Sequence, residues 1–284
     1  MIEIRNVTKC YGKKKAVDNI SLELSDGIYG LLGPNGAGKS TLINILVTSL
    51  SQTDGEILYN GTDIRNKHSG YLHNLGFLPQ NPRFYRNYTA EEFLKYMAAL
   101  KNVDGKIDSK IDDLLELVNL TDEKKNKIGS FSGGMIQRIG VAQALINDPK
   151  IVIFDEPTAG LDPKERIRFR NLISEISNGR TVILATHIVP DIEYIANKVV
   201  LLNKGKIIKN DTPLELMKSI EGKVWELIVG ANEIEKYITM YDISNAYRDK
   251  DYYKLRIVSA EKPDETAVNI SPVLEDVFLY YCGR

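Results

Sequence analysis

Apolar and polar residues alternate at Ile2 and Ile4 and again at Ile20, Leu22 and Leu24, the period-two pattern of strands with one buried face. Residues 27–32 (GIYGLL) form a short apolar run that ends at a glycine-rich loop. Beyond the loop, Leu42, Ile43, Ile45, Leu46 and Leu50 fall at helical spacing, so the loop is predicted to join a strand to a helix. Further strands are expected at 56–60, before the turn Asn60-Gly61, and at 75–78, where Pro79 stops the run. From Thr89 to about Lys127 the pattern turns helical. Thr89-Ala90-Glu91-Glu92 fits a capping box, in which the hydroxyl and the later carboxylate satisfy each other's orphan amides. Phe93, Tyr96, Met97 and Leu100 follow at i, i+3, i+4, i+7, and Ile111, Leu114, Leu115 and Val118 repeat the spacing.

A third helix is expected near Ser132, so residues of about 85–148 read as a helical subdomain inserted in an α/β frame. Two buried-type strands, 151–154 and 181–185, flank a helix at about 164–177, the order of a parallel βαβ unit. Residues 198–203 and 206–209, joined at Lys204-Gly205, read as a hairpin. After Thr212 the signals weaken to a helix, alternating strands at 224–229 and 252–258, and a last helix near 274–281. Residues 1–214 thus form the main domain and 215–284 an accessory region whose fold the pattern leaves open.

Composition changes this picture little. The chain has 284 residues, 43% apolar and 26% charged, which suits a soluble globular domain with a small appendage. A net charge of −1 gives no global field for nucleic acid or anionic lipid. The one basic triplet, Lys13-Lys14-Lys15, reads as a solvated loop. Cys10 and Cys282 sit near opposite ends and form neither a metal-ligand cluster nor a disulfide framework, which fits a reducing compartment. The N-terminus lacks an apolar signal core, and no apolar run approaches the roughly 20 residues that cross a bilayer. The expectation is a soluble or peripheral protein, with any membrane span supplied by another chain.

Chemistry enters at Gly33–Thr41, GPNGAGKST, which matches G-x-x-x-x-G-K-[ST]. Gly33, Gly36 and Gly38, with Asn35 between them, let backbone N–H groups wrap around phosphate oxygens, and the helix that begins near Lys39 adds a positive dipole end. Lys39 is expected to reach the β and γ phosphates of a nucleotide and the Ser40 hydroxyl to coordinate Mg²⁺, with Thr41 completing the loop. A second element, 151–157 (IVIFDEP), delivers two acids at the carboxyl end of a strand, where open α/β sheets bind ligands. Asp155 suits an outer-shell Mg²⁺ contact and Glu156 a general base. A third element, 131–135 (FSGGM), opens a helix 23 positions before Asp155. Ser132, Gly133 and Gly134 make a second anion-binding helix end. One phosphate chain rarely needs two such ends from one subunit, so the second is expected to serve a nucleotide held by another copy.

In this ordered combination the chain resembles the nucleotide-binding subunits of ABC transporters, over about residues 1–215. GPNGAGKST resembles the Walker A motif, IVIFDEP the Walker B motif, FSGGM the ABC signature and Ala159-Gly160-Leu161-Asp162 the D-loop. Leu78-Pro79-Gln80 resembles the Q-loop, with Gln80 near the metal and attacking water, and Thr186-His187 the switch histidine. Tyr11 stands where the family places an aromatic ring on adenine. The signature departs from the usual LSGGQ by Phe131 and by Met135, a thioether in place of an amide.

The resemblance implies a P-loop NTPase ABC ATPase domain with an antiparallel β subdomain, an inserted α-helical subdomain and a small α+β C-terminal extension. It implies ATP with Mg²⁺, a homodimer or paired ATPase subunit, and an integral membrane permease at whose cytoplasmic face the protein is peripheral, on the inner side of the cell membrane. No nucleic-acid partner is expected. Met135 and the closing segment 274–279 (LEDVFL) lean toward export over import. The aromatic stretch 84–88 (FYRNY) is either core or a permease contact. His68 and His73 have no motif around them and read as surface residues.

Rival classes fit less well. Soluble ABC ATPases acting on ribosomes commonly carry two cassettes, and DNA-repair members a long coiled coil between the Walker motifs, for which 41–151 is too short. A GTPase would need Asn-Lys-x-Asp, whereas 203–206 ends in Lys. The cargo stays open.

Overall fold

A computed structural model describes residues 1–66 and 70–283, and His68 lies outside them. Strands β1 (Ile2–Tyr11) and β2 (Lys14–Leu24) pair antiparallel, with Ile2 opposite Leu24 and Ile4 opposite Leu22, so their alternating apolar residues share one buried face. β3 (Gly27–Leu32) leads through the glycine loop into α1 (Lys39–Leu46). α1 stops short of the expected end: Thr48 turns left-handed at φ 58°, and Leu50 packs against the core from the turn beyond it. β4 (Asp54–Tyr59) and β5 (Thr62–Asp63) then complete a sheet of order β2-β1-β4-β5.

β6 (Leu75–Leu78) precedes α2 (Ala90–Leu100), α3 (Ile107–Leu117) and α4 (Gly133–Leu145). The helical stretch is broken where Asn102 and Asn119 adopt φ 50° and 53°, a left-handed conformation that asparagine tolerates just past a helix end. The Thr89 capping box is present in both directions, Glu92 N–H to Thr89 Oγ1 at 3.2 Å and Thr89 N–H to Glu92 Oε2 at 2.8 Å.

β7 (Ile151–Asp155), α5 (Pro163–Ile176) and β8 (Thr181–Thr186) form the expected parallel unit, and β9 (Lys198–Asn203) with β10 (Lys206–Asp211) the expected hairpin. The second sheet has order β10-β9-β3-β8-β7-β6, parallel except for β10. Every residue of β7 and β8 is buried, because helices or a neighbouring sheet cover both faces. One core cluster joins this sheet to α2–α5, and the other joins its opposite face to α1 and the first sheet. The topology gathers the carboxyl ends of β3, β6, β7 and β8 along one edge, where ligands bind in open α/β sheets.

After α6 (Pro213–Lys218) come β11 (Val224–Gly230), α7 (Ile234–Met240), β12 (Asp242–Asp249), β13 (Tyr252–Val258), β14 (Val268–Asn269) and α8 (Leu274–Cys282). The strands form an antiparallel sheet, β12-β13-β11-β14, with its own small core around Leu227, Leu255 and Ile257. Leu216, Ile220, Val224, Leu274 and Val277 instead join the core of the main sheet. Asp276, fully buried, accepts from Arg256 Nη2 at 2.6 Å, Ser244 Oγ at 2.6 Å and its own helix-end amide, Val273 N–H, at 2.8 Å. One carboxylate thus caps α8 and ties it to the third sheet. Among the described residues no helix is long and apolar enough to cross a membrane.

Candidate functional site

The loop after β3 is shaped by two contacts that no side chain would allow. A Cβ on Gly33 would lie 2.3 Å from the Leu202 carbonyl oxygen of β9. On Gly38, already at φ 108°, it would lie 2.3 Å from the Ala16 carbonyl oxygen of β2. Glycine is required at both by close backbone approach. The loop is further pinned by Gly205 N–H donating to Ala37 O at 2.8 Å. Gly36, at φ 79°, has open space on its Cβ side.

The loop and the β7–β8 edge enclose a cleft of about 380 Å³. Asn35, Gly36, Gly38, Lys39, Ser40 and Thr41 line it together with Tyr11, Gln80, Glu156 and His187. Lys39 is buried, and its Nζ donates to the Gly33 carbonyl at 2.6 Å and the Pro34 carbonyl at 3.4 Å, with Glu156 Oε1 at 3.5 Å. Its charge is thus held by its own loop and one carboxylate, at the position from which an entering phosphate would recruit it.

Glu156 sits just past β7 at φ 48°, an unfavourable conformation for a non-glycine residue. Its backbone N–H donates to Ala185 O at 2.9 Å, and its side chain, 5% exposed, meets His187 Nδ1 through Oε2 at 2.8 Å. Each oxygen of this carboxylate therefore faces a different cleft residue. Gln80 is exposed at the rim. Tyr11 ends β1, is 52% exposed and lines the cleft, with Lys9 Nζ 5.6 Å from its ring centroid.

Asp155 supplies the test for a metal. It is buried, and its Oδ1 has no hydrogen-bond partner. Burial and the neighbouring Glu156 raise its pKa, while the Ser40 hydroxyl and Lys39 pull it back down. An orphaned carboxylate oxygen beside a hydroxyl is a hard-oxygen pair that fits Mg²⁺. Among the described residues no three His, Cys, Asp or Glu side chains cluster as a metal cage, so phosphate and water oxygens would have to complete the coordination.

Ser132, Gly133 and Gly134 lie outside the cleft. Ser132 caps α4, accepting from Met135 N–H at 3.3 Å, and both Ser132 and Gly133 are exposed. Gly133 has open space where a Cβ would stand, whereas one on Gly134 would come within 2.9 Å of Glu165 Oε2. A separate cavity of about 400 Å³ lies between α3, α4 and α5, lined by Gly134, Gln137 and Phe169 among others, and it contains none of the cleft residues.

Sequence reading missed some of this. Lys14 was expected in a solvated loop but begins β2 opposite Tyr11 and lines the cleft, because the tight turn at Gly12 folds it back. Thr158 and Asp191 form a buried hydrogen bond behind Glu156; a hydroxyl two residues past the acid pair was a readable signal for the first, and nothing marked the second. The aromatic stretch divides: Phe84 is partly buried against the core and meets Phe93 edge-on, while Tyr85 and Tyr88 stack on each other, 55% and 37% exposed. His73 is exposed.

The sequence profile of the ABC transporter family matches residues 17–159. The bacitracin transport ATP-binding protein BcrA of Bacillus licheniformis is 36% identical, over 80% of this chain and 74% of its own. The linearmycin resistance ATP-binding protein LnrL of Bacillus subtilis (strain 168) is 31% identical over 100% of this chain and 99% of its own. Among solved structures, the dimeric bacterial ABC transporter cassette MJ0796 superposes with a TM-score of 0.67 at 26% identity, covering 75% of this chain and 98% of that one.

Proposed function

The chain belongs to the ABC transporter family as an ATP-binding subunit that hydrolyses ATP, and from that premise we propose that two copies share two nucleotide sites. Each site would join the Lys39 cleft of one copy to the Ser132 helix end of the other. The carrying observation is the division of the phosphate-binding features. Lys39, Ser40, Glu156 and His187 share one cleft, while Ser132 and Gly133 stand exposed outside it.

In this reading Lys39 exchanges its carbonyl contacts for β- and γ-phosphate oxygens, and the loop amides cradle the rest of the chain. Tyr11 stacks on adenine, with Asn35 and Thr41 flanking the phosphates. Glu156 takes the proton of the attacking water through one oxygen, and His187 holds the other and senses the γ-phosphate. Ser40 would hold Mg²⁺, with Asp155 in its outer shell and Gln80 nearby, and the ion when bound neutralises phosphate charge. Glycines 133 and 134 let the partner's phosphates approach the α4 end.

Residues 1–214 serve as the ATPase domain and 215–284 as an accessory region. Tyr85 and Tyr88 form the contact for an integral membrane permease, which makes the protein peripheral at the inner face of the membrane. The relatives' names, bacitracin transport and linearmycin resistance, favour export of an antimicrobial compound.

The test is Glu156→Gln. The variant should bind ATP, arrest turnover and run as a stable ATP-bound dimer in size-exclusion chromatography with light scattering. Normal steady-state phosphate release would remove Glu156 as the base, and a monomer under saturating ATP would remove the shared site.

A further inference from the structure

Two hydrogen bonds span the same pair of loops at the carboxyl edge of the second sheet. The first joins Glu156 to His187 inside the cleft. The second joins Thr158 Oγ1, two residues beyond Glu156, to Asp191 Oδ2, four residues beyond His187. Thr158 and Asp191 are each 1% exposed, and neither lines the nucleotide cleft.

We propose that the Thr158–Asp191 pair is a positioning element for hydrolysis, clamping the loop that carries Glu156 to the loop that carries His187. The inference rests on the reading of Glu156 and His187 as the hydrolytic pair.

Three observations carry it. First, Glu156 is held at φ 48°, and a residue in that region persists only where its surroundings over-determine it. Its amide is fixed to Ala185 O, and the next turns close by Ala159 N–H to Glu156 O at 3.2 Å and Leu161 N–H to Thr158 O at 3.1 Å. Within this turn the side chains of Glu156 and Thr158 both reach the opposite loop, and Thr158 does so outside the cleft.

Second, the opposite loop is itself anchored. Residues 189–191 form a single 3-10 turn, Ile188 N–H donates to Thr186 Oγ1 at 2.9 Å, and Arg170 Nη1 of α5 donates to Pro190 O at 2.6 Å. A clamp between a strained turn and an anchored one transmits position, whereas one between two loose loops would not.

Third, the chemistry is costly for mere stability. A buried carboxylate carries a desolvation penalty that a packed apolar pair of similar volume avoids, and in some proteins such groups are retained for specificity of geometry. Here the geometry at stake is the Oε2–Nδ1 contact of the cleft, and misplacement by about 1 Å can cost a factor of roughly 10² in rate.

The experiment compares Thr158→Val, Thr158→Ser and the apolar pair Thr158→Val/Asp191→Leu in the full-length protein, with Glu156→Gln as reference. Melting temperature, kcat and KM for ATP are measured for each. Thr158→Val is isosteric but strands the Asp191 carboxylate, so its melting temperature and kcat should both fall. The apolar pair removes the stranded charge, so its melting temperature should recover toward wild type while kcat stays down by about tenfold or more. KM should hold within about twofold throughout, because the pair lies outside the cleft. Thr158→Ser keeps the hydroxyl and should keep kcat.

Wild-type kcat in Thr158→Val, or recovery of kcat together with stability in the apolar pair, would reduce the bond to a packing detail and overturn the proposal. So would failure of both variants to fold, which would make the bond a folding element. If Glu156→Gln turns over normally, the underlying reading of Glu156 fails instead, whatever the clamp variants do.

Discussion

Helices α1, α4 and α2 each offer an N-terminus to solvent or ligand, and the three ends are built differently. α1 has no side-chain cap and no acid in its first turn; its entry residue, Gly38, is left-handed, and Lys39 is buried at its mouth. α4 also lacks an acid in its first turn, but Ser132 caps it and stays exposed. α2 carries Glu91 and Glu92 in its first turn and closes on itself through the capping box. Orphan amides and a dipole are common to all three. What differs is whether the fold has already supplied the anion. α2 brings its own, α1 opens into a cleft, and α4 opens at the surface, where the nearby carboxylate of Glu165 is already paired with Arg138 and Arg168.

Substitutions can break this ordering. The largest effect is expected at α1: Lys39→Ala should lower turnover by about 10²–10³-fold, read by phosphate release, since a preorganised cation at a transferring phosphoryl group is of that worth. Next comes α4. Ser132→Arg in one protomer of a mixed dimer should cripple the site opposite it, leaving about half of the total turnover; undiminished activity would mean α4 serves no partner. Tyr11→Ala should weaken ATP binding roughly fivefold by calorimetry, and Tyr11→Trp should restore it, as base–aromatic stacking of about 1 kcal/mol predicts.

The smallest effect belongs to α2. Lys125 and then Lys95 hold Glu91 down to about 2, below its ordinary 4.5. A depressed carboxyl stabilises the fold above its unfolded pKa and loses that contribution as pH falls through 4.5 toward about 2. Glu91→Gln should therefore lower the melting temperature slightly at neutral pH, leave it unchanged near pH 2 and so flatten the profile between, the loss being small because the lysine partners are exposed.

The contrast also explains what could be read in advance. The β7 run, the capping box at Thr89 and the loop Gly33–Thr41 carry their meaning locally, in spacing and residue type, and the structure has each of them. β12 was not legible, because most of its residues are exposed on a sheet edge and no alternation is selected there. Lys14 and Asp191 were missed for another reason. Lys14 meets Tyr11 and the cleft only once the turn at Gly12 has closed, and Asp191 meets Thr158 across 33 positions. Local spacing carries no record of such neighbours. Counting helix ends assigned Ser132 to a nucleotide held by another copy, and the lining of the Lys39 cleft leaves out Ser132, Gly133 and Gly134.

The last helix has a consequence for anyone who treats the C-terminal segment as an interchangeable module. Leu274 and Val277 fill the same core as the β3 and β7 residues, and Asn203, which follows the Leu202 carbonyl abutting Gly33, reaches the Tyr281 carbonyl at 3.5 Å. A chimera that exchanged residues 215–284 for a relative's tail would transplant part of the wall behind the phosphate loop. Such a graft should be cut within the third sheet, keeping α8 with the host.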